Sequence, residues 1–226
     1  GFRAHGHRAY LDSLNTAKAL DAAIDELGRK PSKKALAAAR NAWIAARAPY
    51  SYSEVLRFIF PPIDHWDKSV NAWPLDEGLI DYLADNSEVS EDNPYGNLNI
   101  IASKKPLILG QTVDATEITP ELLRDHLHEL DSIESNVAIG YHAIEFLLWG
   151  QDNNGTGRGA GNRPWTDYSS NRCTNGNCDR RFDYLKSVST LLLENLSDME
   201  RAWREDGEIT EQIYLADQTE MIERIT

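Results

Sequence analysis

A histidine and a glutamate three residues apart, His142 and Glu145, interrupt a run that is otherwise apolar or small from Val137 to Trp149. On a helix that spacing puts both side chains on one face, a turn apart, where an imidazole nitrogen and a carboxylate oxygen can converge on one point. Imidazole plus carboxylate is a donor set for first-row metal ions. Helical bundles that hold paired metals use the reverse order, Glu-x-x-His. The same two residues also fit a plain buried pair, each satisfying the other, because buried charge needs a partner. Spacing and burial leave these readings even. A helix that is apolar on every side has no face suited to water, so this segment is expected at the centre of the fold.

The elements that must position the pair follow from periodicity. Apolar residues from Tyr10 to Leu27 recur at helical spacing up to Gly28 and Pro31, and Ser32 can cap a second helix through Leu36, Ala39, Trp43 and Ile44. Pro49 inside that pattern predicts a kink or break, because it removes a backbone donor, and Pro61-Pro62 predicts a stop. Residues 64–73 read as a loop. Pro74 fits the start of a short helix with Asp76 and Glu77 in its first turn. Residues 86–114 read as a loop with one short element near 99–102. Thr119-Pro120 predicts a helix start and a helix to about Leu130. After the central helix comes a long polar loop, 151–179, and then an amphipathic helix over 181–204 and a last one over 211–225. No strand alternation or repeat period is evident, so the expected class is all-α, a helical bundle with long ordered loops.

Composition narrows the function classes. With 226 residues, 41% of them hydrophobic, the chain can bury a real core. A formal charge of -13 argues against a nucleic-acid partner, whose non-specific affinity comes from Lys and Arg on phosphates. No run approaches the ~20 apolar residues of a membrane span. Starting at Gly1 without a basic and apolar leader fits a trimmed product whose export signal has gone. Cys173 and Cys178 bracket the polar string CTNGNC. That spacing is not a C-x-x-C redox pattern and lacks a second Cys or His pair, so a local disulfide is expected, and with it an oxidising compartment such as a periplasm.

Residues 136–152, NVAIGYHAIEFLLWGQD, carry a Gly140-x-His142-x-x-Glu145 pattern that resembles the imelysin family of iron-regulated bacterial proteins, once described as insulin-cleaving membrane proteases. Residues 46–58, ARAPYSYSEVLRF, and 71–77, NAWPLDE, are similar to two further segments of that family. The resemblance implies an imelysin-type helical domain over 1–226, comprising the N-terminal bundle and the start of a second. A family-length protein would continue into a motif, Gly-Glu-Arg-Met, that is missing here, so a second polypeptide supplying that half is one expected partner. It implies metal ligands at His142, Glu145, Glu54 and Asp76, with Asp64 as a substitute for Asp76. Gly140, Arg47, Tyr50 and Arg57 are implied as supporting or ligand-binding residues. The cofactor implied is a metal ion, iron foremost with zinc as the other candidate, or an iron-bearing group such as haem. The role implied is that of an exported, periplasmic protein of iron acquisition.

Each of these residues has a simpler reading. Glu54 and Arg57 form an ordinary i,i+3 ion pair, and Asp76 complements a helix start. His5, His7, His126 and His128 are spaced so that neighbours face different ways. His65 stays of interest because it lies near the third segment. Trp43, Trp149, Trp165 and Trp203 read as core or loop anchors. A metallopeptidase is the competing enzymatic reading, but the zinc-peptidase signature needs a second His at i+4, and residue 146 is Phe. The remaining alternative is a bundle without metal, in which the motif shapes a partner interface.

Overall fold

The computed structural model describes residues 2–57, 61–84, 93–155 and 157–215; the side chains of Arg57, Asp64 and His65 lie outside what is described. The first two helices, α1 (Phe2–Arg29) and α2 (Lys33–Arg57), are joined by three residues and pack along each other. Ser32 caps α2 by accepting from the Ala35 amide at 3.1 Å, as its place in the sequence predicts. The α1 stripe of Tyr10, Leu14, Ala17, Leu20, Ile24 and Leu27 is buried, and α1 also lies against the long α7 (Cys178–Ala202). Between α2, α3 (Pro61–Asn71) and α7 runs α6 (Gly140–Trp149). Tyr141, Ala143, Ile144, Leu147 and Leu148 on α6 are fully buried, which places this helix at the centre as its all-round apolarity requires.

The expectations that fail do so where packing outweighs local signals. Pro49 does not break α2, which continues through it to Arg57, with Ala46 and Tyr50 on either side buried in the core. Pro61 and Pro62 open α3, the position in which a missing backbone donor costs nothing. The stretch read as a loop is therefore mostly helix. Its buried stripe, Ile63, Asp67 and Val70, is narrow and partly polar, so hydrophobic periodicity misses it. The short helix after Pro74 is α4 (Glu77–Ile80), with Asp76 at its N-cap.

Residues 93–114, part of the expected loop, contain structure. Two short strands, β1 (Leu107–Ile108) and β2 (Gln111–Thr112), pair antiparallel across Leu109-Gly110. Thr119 accepts from the Leu122 amide at 3.3 Å and caps α5 (Pro120–Leu122), as predicted. The expected helix to Leu130 then widens into a π-turn over Leu123–Leu127 and bends through left-handed Glu129, Asp131 and Ser132. Buried Asn136 holds that bend. Its Nδ2 donates to the Leu130 carbonyl at 2.8 Å, and its own carbonyl accepts from the Glu129 amide at 2.8 Å. The last helix, α8, spans Glu208–Leu215; the rest of the element expected over 211–225 lies outside the described residues.

The long loop after α6 is fixed by two devices. Cys173 and Cys178 form the expected disulfide. Behind it, buried Arg163 and Arg181 share Asp81: Arg163 Nη1 lies 2.7 Å and Arg181 Nε 2.6 Å from Asp81 Oδ2. Asp167 also accepts from Arg163 at 3.0 Å. Burial acts to raise the Asp81 carboxyl, but the hydrogen bond from Arg181 and the two guanidinium charges outweigh it and hold the pKa below the ordinary carboxylate range. Within the disulfide loop, the Gly176 carbonyl accepts from Arg181 Nη1 at 2.9 Å, which ties the loop to this network.

Candidate functional site

The site begins with the glycine of the motif. Ile139 is extended and Gly140 has φ +87°, so α6 starts with a turn that a side chain would oppose. A Cβ on Gly140 would lie 2.6 Å from the Val70 carbonyl oxygen, so only glycine lets α6 start this close to the end of α3. Two residues later His142 faces outward beside Glu145. His142 Nδ1 is 3.1 Å from Glu145 Oε2, and the side chains are 20% and 43% exposed, so both reach solvent from an otherwise buried helix. The Trp73 ring lies 5.2 Å from the imidazole, and Trp73 itself is 66% exposed.

His142 and Glu145 open into a cleft of about 1420 Å³ between α2, the 67–77 segment, the 129–134 bend, α6 and the glycines of 159–161. Among the described residues six carboxylates line it, Asp67, Glu77, Glu129, Glu134, Glu145 and Asp152, against one Lys, Lys68. Burial raises the pKa of Glu77; the Arg163 charge works against this, and the Asp152 and Glu145 carboxylates add to it. Trp43, Trp73 and Trp149 form aromatic walls. Trp43 is fixed by its Nε1 donating to the Tyr141 carbonyl at 2.8 Å, and it meets Trp149 edge to face at 5.4 Å.

The other residues implied as ligands are placed differently. Asp76 Oδ2 accepts from Ser135 Oγ at 2.6 Å and from Asn93 Nδ2, which fastens α4 to the 133–136 segment. Glu54 is exposed on α2 and does not line the cleft. Among the described residues no three His, Cys, Asp or Glu side chains stand close enough to hold a metal ion, so neither carboxylate joins His142 and Glu145 here. Arg47 lies behind the cleft wall, donating to Asn71 Oδ1 at 2.6 Å with its guanidinium 5.0 Å from the Tyr141 ring centre. Tyr50 is buried and donates to Asp67 Oδ1 at 2.8 Å. The Arg57, Asp64 and His65 side chains fall outside the described residues.

Sequence reasoning did not single out Glu77, Trp73, Trp43 and Trp149 as site residues. Glu77 and Trp73 belong to the quoted 71–77 segment, in which the likeness nominates Asp76; of the two adjacent carboxylates it is Glu77 that lines the cleft. Trp43 and Trp149 read as anchors, and each does have packed neighbours. No spacing in the chain marks them as facing a shared cleft.

One solved structure similar to this chain is a protein from Parabacteroides distasonis ATCC 8503 described as an iron-regulated protein A precursor. It is 21% identical with a TM-score of 0.49, and the match covers 88% of this chain and 41% of that one. The chain thus spans about two-fifths of that protein's length. No curated protein matches. The family model for imelysin, a peptidase M75 group, matches residues 6–226, and the chain belongs to the imelysin family.

Proposed function

We propose that this chain binds iron, or an iron-bearing ligand, at His142 as an exported component of bacterial iron acquisition, with no catalytic step of its own. The observation that carries this reading is the geometry of the motif pair. Glu145 engages Nδ1 of His142, which leaves Nε2 as the ligating nitrogen on a ring held in orientation by a carboxylate. That is the arrangement by which an outer carboxylate fixes the tautomer of a metal-bound histidine and raises its basicity. The surrounding carboxylates favour a cation in the cleft. Since the described residues gather no group of three candidate ligands, the remaining coordination positions fall to the incoming ligand or to protein outside the described residues. Export is supported by the disulfide, which persists in oxidising compartments. Among the described residues no helix is long and apolar enough to cross a membrane.

Calorimetry with Fe(II), Fe(III) and Zn(II) on the wild type and on a His142→Ala/Glu145→Ala variant tests the proposal. Uptake at a defined ratio, lost in a variant that keeps its helical circular dichroism, is the expected result. Equal uptake by both proteins would show that the motif is not the site.

A further inference from the structure

We infer that the cleft beside His142 takes a flat aromatic cation, seated against Trp73. The inference rests on the binding site proposed above and deepens it by naming the class of ligand. A bare metal ion needs a cage a few ångströms across, whereas the cleft measures about 1420 Å³, enough for an organic molecule. Trp73 is the second feature. Its ring meets His142 at 5.2 Å, yet the residue remains 66% exposed, so a large indole surface stands open to whatever enters. A large side chain left so uncovered gains little for folding. Ile44, 57% exposed, borders the same space, and the Trp43 and Trp149 pair closes another wall.

The charge of the lining then selects among flat ligands. The six carboxylates among the described lining residues, against Lys68, repel an anionic aromatic and attract a cationic one. Arg40 and Arg47 stack on Trp149 and Trp43 at 5.5 and 6.0 Å, but neither lines the cleft. Among the described residues no Arg or Lys stacks on Trp73, which leaves its ring open to a cation–π contact. The shared chemistry covers an organic base and a cationic metal chelate with aromatic donors. In the second case His142 Nε2 would complete the metal's coordination.

The test uses methyl viologen, a flat aromatic dication, followed by calorimetry with the whole chain at fixed ionic strength. Hexamethonium serves as a dication without rings, and biphenyl-4,4′-dicarboxylate as the anionic aromatic. The expected order is viologen tightest, hexamethonium about ten-fold weaker, and no measurable binding of the dicarboxylate. Trp73→Ala should remove the viologen advantage and Trp73→Phe should restore most of it. Comparable binding of viologen and the dicarboxylate, or an unchanged preference in Trp73→Ala, overturns the inference. Titrating the wild type with iron and with viologen separates the two claims. Iron uptake with no viologen binding defeats the aromatic-cation inference alone, and viologen binding without iron uptake defeats the metal reading alone.

Discussion

Gly140→Ala should be among the most damaging small substitutions in the chain, for two separable reasons. Holding a non-glycine residue at φ +87° costs about 1–2 kcal/mol. The new methyl would also sit 2.6 Å from the Val70 carbonyl oxygen and 2.8 Å from its carbon. These are backbone atoms at the end of α3, so relief requires α6 and α3 to part, an overpacking cost of about 1–3 kcal/mol. The total is about 2–5 kcal/mol, roughly 10 °C in thermal midpoint for a chain of this size. Gly110→Ala is the internal control. Gly110 has φ +75° with nothing within 4 Å of a built Cβ, so it carries the conformational cost of about 1–2 kcal/mol without the clash. Urea unfolding of the two variants should therefore differ by about 2 kcal/mol, with Gly140→Ala the weaker protein. Midpoints that agree within about 0.5 kcal/mol would refute the claim that the α6 and α3 backbones fix this glycine. Iron affinity should fall in Gly140→Ala and stay unchanged in Gly110→Ala, because only the first moves His142.

Three more outcomes are expected. Replacing Cys173 and Cys178 by Ser should cost about 2 kcal/mol, the chain-entropy value for so short a loop, read as a urea midpoint shift that reduction of the wild type reproduces. Asp81→Asn should cost about 3–5 kcal/mol, because Arg163 and Arg181 then share no buried carboxylate at that position. The folded Asp81 pKa is depressed, so its contribution is complete above its unfolded value of about 3.9 and disappears as pH falls through the folded value; stability below pH 4 should drop more steeply in the wild type than in Asp81→Asn. Glu77 has the opposite sign. Its pKa is raised in the folded protein and a bound cation favours the ionised form, so metal uptake should release protons and weaken as pH falls through the raised pKa. Calorimetry in two buffers of different ionisation enthalpy reads that release, which Glu77→Gln should reduce.

Much of this architecture is written locally. The all-round apolar run of 137–149 could only be central, the stripe of α1 could only be amphipathic, and Ser32 and Thr119 mark their caps because hydroxyls satisfy free backbone amides wherever they occur. The disulfide followed from two cysteines close together in a polar loop. His142 and Glu145 share a face because helical periodicity alone decides it. Tertiary structure decided the rest. Pro49 stays within α2 and residues 61–71 become helix because of neighbours distant in sequence, which no local propensity encodes. Asp76 and Glu77 are adjacent and chemically alike, yet Ser135 and Asn93 hold the first while the second lines the cleft with Glu145. The aromatic walls combine Trp43 of α2, Trp73 beyond α3 and Trp149 of α6, three residues with no common sequence pattern. A cleft is a property of surfaces brought together from separate elements, so the sequence could specify the pair on α6 but not the space that the pair faces.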